Sequence, residues 1–308
     1  MPYVSLATFL LVVAVLWAGV LIVFMGRTLL RPPRMTDAKA LYRLKRMTPD
    51  DLGLAFVPMN FTVRDTDGGR PLVVAAWWIA AASPSDKTVI LVHGYGDAKV
   101  GGIAWAPLWH GLGFNVLAID LRAHGESGGR NCTAGFYERD DLDQVIDALR
   151  VEKPAATKSL TLFGASLGAA VVAATAPRRT DLAAVVMESP YADYRSAVRV
   201  HMRRRGYPLI SLSNAVCRVA EWISRSDFRL VRPAVTVPMI KSPLLVVYGD
   251  ADPLIDGPTL DAALTTRAAD SVTRRNVFPG VPHVMALAHA PDAYEASVTA
   301  FLRDARLI

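Results

Sequence analysis

The segment "TLFGASLGAA", residues 161–170, decides the fold, because an apolar run ends there in Gly-x-Ser-x-Gly and passes into small residues. The run predicts a buried strand, and the following stretch "AAVVAATA", which ends just before Pro177, predicts a helix. A strand, a tight turn and a helix form the setting that holds a nucleophilic serine. Ser166 is therefore a candidate nucleophile. The alternative is a small residue at which helix and strand pack closely.

Short runs rich in Val, Ile and Leu alternate with helical patterns on both sides of this segment. Such continuous apolar strands, separated by helices, predict a parallel sheet that is covered on both faces. Two earlier apolar runs within 56–80 are split by Asp67, Gly68 and Gly69, which predicts an antiparallel hairpin at the start of the sheet. The strands expected after it are 88–93, 114–120, 160–164, 183–189, 244–249 and 275–280.

A serine hydroxyl needs a base and a group that orients the base. His283 lies in a loop directly after the last predicted strand, and Asp252 follows the strand before it. The order Ser, Asp, His along the chain is the order described for this strand-turn-helix motif. Asp250 also follows that strand, and one of the two aspartates is expected to cap a turn instead.

An oxyanion hole requires two backbone N–H groups aimed at the carbonyl oxygen as it becomes charged. One donor is expected from Leu167, immediately after the candidate nucleophile. The other is expected from the loop "LVHGYGD", residues 91–97. Within this loop we interpret His93 as structural, holding the loop in place, rather than as a second base.

The first residues of the chain predict a membrane span. No side chain from Met1 to Gly26 is charged, and the apolar stretch 5–25 has about the length that crosses a hydrocarbon layer as a helix. A cleaved signal peptide would carry basic residues before a shorter apolar core, which this segment does not. Basic residues follow it, so the domain after the span is expected in the cytoplasm. They are Arg27, Arg31, Arg34, Lys39, Arg43, Lys45 and Arg46.

Composition limits the classes of protein that the chain can represent. It has 308 residues, of which 52% are hydrophobic and 20% charged, so it can form one large folded domain with an appendage. The formal net charge of +6 comes with no nucleic-acid-binding motif, so no nucleic-acid partner is expected. Cys132 and Cys217 show no zinc or disulfide spacing, and no metal or organic cofactor is expected.

These patterns divide the chain into a transmembrane anchor at 1–26, an irregular basic connector at 27–55 and a catalytic domain at 56–308. A segment at about 192–240 interrupts the alternation of strands and helices with Arg-rich and aromatic patterns. An insertion at this place is expected to cover the strand ends as a helical lid. Its apolar residues Leu209, Ile210, Trp222 and Phe228, with basic residues at 203–205, suggest lipid-like substrates.

Over nearly all of 56–308 the sequence resembles the α/β-hydrolase family, in particular its Bem46-like branch and the serine aminopeptidase S33-type hydrolases. The motifs that carry the resemblance are "HGYGD", "DLRAHGESGG", "GASLG", "GDADPL" and "PGVPH". The resemblance implies that Asp252 rather than Asp250 is the acid and that Tyr95 is the second oxyanion donor. It also implies a structural role for Arg122 and His124.

The implied reaction is acyl transfer to water through an acyl-enzyme at Ser166. The leading hypothesis is a membrane-anchored serine hydrolase that cleaves a carboxylic ester, with a small or lipid-like acyl compound as substrate. The first alternative is a peptidase or amidase, which needs a carboxylate for the substrate amine. Candidates in the lid are Asp193, Glu221 and Asp227. The second alternative is an inactive membrane-bound binding or scaffold protein, since fold alone does not imply activity. The sequence leaves oligomeric state and substrate identity open.

Overall fold

A computed structural model describes residues 5–66, 68–207, 210–268 and 271–308. Asp67, in the turn of the expected hairpin, and Leu209, in the expected lid, lie outside the described residues. Among the described residues, eight strands form one sheet in the order β1-β2-β4-β3-β5-β6-β7-β8. They are β1 Val57–Val63, β2 Leu72–Ile79, β3 Lys87–Val92, β4 Asn115–Ile119, β5 Ser159–Ala165, β6 Ala184–Glu188, β7 Leu244–Gly249 and β8 Thr273–Phe278.

The sheet is mostly parallel, and β2 is the strand that runs against its neighbours. β1 pairs with β2 in antiparallel register, with Val57 opposite Trp78, and β2 pairs with β4 in the same sense. The pairs from β4 through β3, β5, β6 and β7 to β8 are all parallel. The carboxyl ends of these parallel strands therefore meet at one edge of the sheet, where the predicted site residues belong.

Helices cover both faces of the sheet. Along β3 the side chains of Val89 and Leu91 join one buried cluster and those of Ile90 and Val92 join the other, as the two-residue period of a strand requires. The α-helices of the described residues are α1 Leu6–Leu30, α2 Asp37–Leu44, α3 Lys99–Gly102, α4 Ala106–Gly111, α5 Glu138–Glu152, α6 Leu167–Thr175, α7 Tyr194–Arg204, α8 Ser213–Ser224, α9 Pro233–Thr236, α10 Gly257–Thr265, α11 Ala286–His289 and α12 Pro291–Asp304. Helices α5, α6 and α10 pack on one face, and α4 and α12 pack on the other. The α/β-hydrolase fold predicted from the sequence is confirmed.

The N-terminal helix α1 is long and apolar enough to cross a membrane. It extends to Leu30, beyond the expected boundary of the anchor at residue 26. Its first part is exposed, whereas its last turns pack on α8, where Gly26 is buried against Val219 and the backbone of Ala220. Leu30 is only 1% exposed and belongs to the same buried cluster as residues of α7 and α8.

The connector between α1 and the sheet was expected to be irregular, yet it contains the short helix α2. Thr36 caps this helix, because its side chain accepts a hydrogen bond from the backbone N–H of Lys39. Farther along the connector, Arg46 donates to the carbonyl oxygen of Val100 at 3.0 Å. The connector is thus fixed to the domain, close to the loop that follows β3.

Candidate active site

Ser166 lies between the end of β5 and the start of α6 in a backbone conformation that L-residues rarely adopt, with φ 53° and ψ −111°. Such a conformation costs about 1–3 kcal/mol and persists only where the surroundings enforce it. Here the Ser166 N–H donates to the carbonyl oxygen of Glu188 at 2.9 Å. A side chain at Gly168 would overlap the carbonyl group of Val92, so α6 can approach β3 only with glycine there. The turn thereby presents the Ser166 hydroxyl at the N-terminus of α6.

The structure brings Ser166, His283 and Asp252 together in a hydrogen-bonded series. The His283 Nε2 atom lies 2.8 Å from Ser166 Oγ, and its Nδ1 atom lies 2.7 Å from Asp252 Oδ2. Because a carboxylate only accepts, the network assigns the ring proton to Nδ1 and leaves Nε2 as the acceptor for the serine hydroxyl. The Asp252 side chain is fully buried, and that of His283 is 24% exposed.

The two aspartates that the residues alone left as rivals have different contacts. Asp252 uses its second oxygen, Oδ1, to accept from the backbone N–H of Leu254 at 2.9 Å, which fixes the carboxylate. Asp250 accepts instead from the backbone N–H of Gly280 at 2.6 Å and so holds the turn after β8. Contact with His283 is made by Asp252, in agreement with the choice that the resemblance implied.

The loop that carries His283 is held by the end of β6. The backbone N–H of Val284 donates to Ser189 Oγ at 3.0 Å. Beside it, Glu188 is fully buried and accepts from Trp105 Nε1 at 2.8 Å and from the Tyr294 hydroxyl at 2.7 Å. Burial raises the pKa of Glu188 to about 7. Sequence reasoning missed Glu188, and its position at the end of a strand, directly before "SPY", was the available signal.

The two predicted oxyanion donors flank the serine. Leu167 follows it directly, and the loop that contains Tyr95 approaches it through Gly94, where an added Cβ would lie 3.4 Å from Ser166 Cβ. Within the part of the chain that the structure describes, the backbone N–H groups of Tyr95 and Leu167 donate to no acceptor. Both are therefore available to a substrate oxygen.

His93 ties the loop after β3 to the loop after β4. Its Nε2 atom accepts from the backbone N–H of Leu121 at 3.0 Å, so the proton is on Nδ1, which donates to the Gly94 carbonyl at 2.7 Å. Burial lowers the pKa of His93 to about 3, and the ring stays neutral. Arg122 is also buried and forms a two-pronged ion pair with Asp141. These contacts support the structural roles expected for both residues.

The insertion between β6 and β7 contains α7, α8 and α9. Trp222 on α8 is 80% exposed, whereas Phe228 is only 2% exposed. Asp227 caps the turn that carries Phe228, and the ring packs edge-on against Tyr194. Phe228, one of the residues that suggested lipid-like substrates, therefore packs in the core of the insertion. Ile210 is half-buried at the start of a short 3-10 turn.

Neither a cluster of metal-binding side chains nor a disulfide is found in the part of the chain that the structure describes. Among the described residues, no group of three or more His, Cys, Asp or Glu side chains could hold a metal ion. Cys132 and Cys217 are buried free thiols. Burial raises the pKa of each thiol well above its ordinary value.

The sheet order, the antiparallel second strand and the turn at Ser166 define an α/β hydrolase. Residues 83–226 match the family model described as "Serine aminopeptidase, S33", and the chain has the α/β-hydrolase fold. Uncharacterized protein YqkD of Bacillus subtilis is 28% identical over 57% of this chain, and the alignment spans 58% of that relative's length. Uncharacterized protein YfhR of Escherichia coli K12 is 26% identical over 80% of each chain.

Among solved structures, the Pyrococcus furiosus esterase Pf2001 is similar with a TM-score of 0.72 and 25% identity. The match covers 90% of this chain and 97% of that chain. The family match and the esterase neighbour support an enzyme of the α/β-hydrolase type.

Proposed function

We propose that this protein is a membrane-anchored serine hydrolase that cleaves carboxylic esters through an acyl-enzyme at Ser166. The observation that carries the proposal is the series Ser166 Oγ, His283 Nε2 and Nδ1, and Asp252 Oδ2, with links of 2.8 and 2.7 Å. A serine activated in this way, beside two unoccupied backbone donors, has the parts required for acyl transfer.

In this mechanism His283 takes the hydroxyl proton of Ser166 as the serine oxygen attacks the ester carbonyl. The N–H groups of Tyr95 and Leu167 stabilise the negative oxygen of the tetrahedral intermediate. His283 then gives the proton to the departing alcohol, which leaves an acyl-enzyme. A water molecule, deprotonated by His283, releases the acid and restores the serine. Asp252 holds the imidazole in the required tautomer and stabilises its charged form.

The lid carboxylates favour an ester substrate over a peptide with a free amino terminus, because they are already paired with arginines. Glu221 pairs with Arg195, and Asp227 pairs with Arg229 at 2.8 Å. Asp193 lies 3.6 Å from Arg232 and caps α7. Each of these three lid carboxylates is thus already paired with a guanidinium group, and recognition of an amine by one of them would have to break an ion pair.

The packing of α1 supports a retained anchor over a cleaved signal sequence. A signal sequence passes the same test of length and apolarity. The last turn of α1, however, supplies acceptors to the domain, because Cys132 N–H donates to the Leu30 carbonyl at 2.7 Å and the Tyr95 hydroxyl donates to the Leu29 carbonyl at 2.9 Å. Removing α1 would uncover these groups and the apolar surface around Leu30. We place the end of the span beside the active site, which suits esters that are drawn from a membrane surface.

A fluorophosphonate probe and a panel of acyl esters, thioesters and peptides test the enzymatic proposal on the full chain. We expect the wild-type protein and the Ser83→Ala variant to be labelled and to hydrolyse esters, since Ser83 is exposed before the start of β3, at the opposite edge of the sheet. We expect Ser166→Ala to lose both properties. Labelling that survives Ser166→Ala, or a wild-type protein that cleaves peptides and not esters, contradicts the proposal.

The basic residues after the span lead us to place the catalytic domain in the cytoplasm. A reporter fused to the C-terminus tests this orientation. Activity of a reporter that works only outside the cytoplasm would reverse it. The ester chemistry is judged separately, because it does not depend on which side of the membrane the domain occupies.

A further inference from the structure

A cavity of about 770 Å³ lies between the last turn of α1, the loop that follows β1 and the loop that follows β4. It is separate from the Ser166, His283 and Asp252 site, and none of those residues lines it. Arginine is the most frequent residue in its described lining, and we name it the arginine cavity. They are Arg27, Arg31, Arg70, Arg122 and Arg130.

The carboxylates that line the arginine cavity are already paired. Asp65 lies 3.2 Å from Arg122, and Glu126 pairs with the buried Lys99. Arg122 is itself 3% exposed and held by Asp141 at 2.6 Å. Among the described residues, these pairs leave no acidic side chain of the lining to neutralise its other arginines.

The four other guanidinium groups form no hydrogen bond or ion pair with any described residue. Arg27, Arg31, Arg70 and Arg130 are all exposed and face the same cavity. Several unpaired guanidinium groups around one space attract an anion that can accept several hydrogen bonds at once. Phosphate matches the planar, forked donors of arginine in this way.

The position of the cavity indicates where the phosphate comes from. Arg27 lies in the last turn of α1 and Arg31 is the residue that ends the helix, so both follow its apolar stretch directly. Basic side chains at the end of a span lie at the level of the lipid headgroups. Arg70 and Arg130 line the same cavity from the domain side.

We propose that the arginine cavity binds the phosphate of an anionic phospholipid headgroup. The proposal rests on the membrane insertion of α1 that is proposed above. The lipid would bridge the span and the domain, with its acyl chains beside α1 and its phosphate between the two pairs of arginines. It would thereby fix how the domain sits on the membrane surface.

The wall of the cavity is organised before any lipid binds. Gly128 N–H donates to the Val73 carbonyl at 2.8 Å, which fixes the loop after β4 against β2. Arg34 Nη1 lies 2.7 Å from the Gly125 carbonyl and 2.8 Å from the Ser127 carbonyl, which fixes the same loop to the connector. Binding therefore requires little ordering of the backbone, which favours affinity.

The test compares two double variants that remove equal charge. Arg70→Gln with Arg130→Gln alters the cavity and leaves the flank of the span intact. Arg303→Gln with Arg306→Gln is the matched control, because both residues are exposed at the end of α12. That end lies at the opposite edge of the sheet, since Asp304 pairs with Arg274 at the start of β8.

Native mass spectrometry of the full chain in a non-ionic detergent measures binding of phosphatidylglycerol, phosphatidylcholine and inorganic phosphate. We expect the wild type and the control to prefer phosphatidylglycerol over phosphatidylcholine. The cavity variant should bind phosphatidylglycerol roughly thirtyfold more weakly, because each of the two arginines near a membrane surface contributes about fivefold. Unfolding temperatures should be equal in all three proteins, because the changed side chains are exposed.

Equal affinity of the two double variants for phosphatidylglycerol overturns the site. Binding of inorganic phosphate as tight as that of phosphatidylglycerol, lost in the cavity variant, overturns the lipid as its source. Failure of the hydrolase proposal would be seen in a separate measurement, the hydrolysis of a soluble short-chain ester. That activity should be unchanged in the cavity variant and lost in Ser166→Ala. Failure of membrane insertion would be seen as wild-type protein in the soluble fraction of cells.

Discussion

The hydroxyl of Tyr95 donates a hydrogen bond to the carbonyl oxygen of Leu29 at 2.9 Å. This bond joins the loop that is expected to stabilise the oxyanion to the last turn of the helix that is expected to span the membrane. The carbonyl is one of those that a helix end leaves without an internal partner, so the tyrosine also caps α1. The position of a predicted catalytic N–H group is thus coupled to the anchor.

Tyr95→Phe should lower kcat for ester hydrolysis by about fivefold, because a net contribution of about 1 kcal/mol is lost from the bond that positions the loop. KM for a small soluble ester should change little, since the phenolic oxygen is bonded to the Leu29 carbonyl of α1. Steady-state kinetics on the full chain measure both constants. Tyr42→Phe is the matched control, because Tyr42 is 79% exposed on α2. Equal kcat values for the two variants would show that the bond has no influence on catalysis.

Asp252→Asn and Asp250→Asn should separate catalysis from turn structure. Loss of the carboxylate beside His283 leaves the imidazole in the wrong tautomer, and kcat should fall by about 10⁴-fold. Asp250→Asn removes charge from the turn at Gly280, and kcat should fall by less than about tenfold, with a small loss of stability. Rates of ester hydrolysis and unfolding temperatures distinguish the two. A larger loss of kcat in Asp250→Asn would reverse their assignment.

Gly26→Leu should destabilise the protein by about 1–3 kcal/mol, because the new side chain must displace α8 from α1. An added Cβ at Gly26 would already lie 3.0 Å from Val219 Cγ1. Gly19→Leu is the control, since it adds the same side chain to the same helix and a Cβ there meets no atom within 4 Å. Thermal unfolding in detergent measures the effect. If the two variants unfold together, α1 does not pack on the domain as described.

Glu188 should make stability depend on pH. Burial raises its pKa from 4.5 to about 7, so between these pH values the folded protein keeps a proton that the unfolded chain loses. The contribution of Glu188 to stability is therefore greatest below pH 4.5, and it falls as the pH rises towards 7. The loss amounts to about 3 kcal/mol at most.

Glu188→Gln removes this titration and keeps an oxygen that can accept from Trp105 and Tyr294. The free energy of unfolding of the wild type, relative to Glu188→Gln, should decline over that pH interval when measured with urea. A difference that stays constant with pH would show that Glu188 titrates normally in the folded protein.

Much of the site was predictable because each of its parts follows a different strand. Parallel strands bring their carboxyl ends to one edge, so Ser166, Asp252, His283 and the loop of Tyr95 had to come close together once the strands were recognised. Asp250 and Asp252 could not be separated from the residues alone, since both follow β7 and the choice depends on which carboxylate a turn engages. The resemblance to the α/β-hydrolase family is what favoured Asp252 over Asp250.

Other features depend on tertiary contacts that a sequence pattern does not contain. The apolar character of α1 predicts a span and does not say that its last turns pack on α8. Phe228 and Trp222 are both aromatic residues of the insertion, and the sequence pattern does not distinguish them. In the structure Phe228 is buried against Tyr194, whereas Trp222 is exposed. The cavity at Arg70 and Arg130 is formed by residues far apart in sequence, so the separate basic positions gave no indication of a common site.

Leu30 has a practical consequence for the production of this enzyme. Its side chain packs in a buried cluster with residues of α7 and α8, although it belongs to the helix proposed to span the membrane. A shortened protein that starts after residue 30 would expose the apolar side chains that pack against Leu30, and these would promote self-association. A synthetic peptide that carries the last two turns of α1 should reverse this self-association, in the manner of a complemented protein fragment.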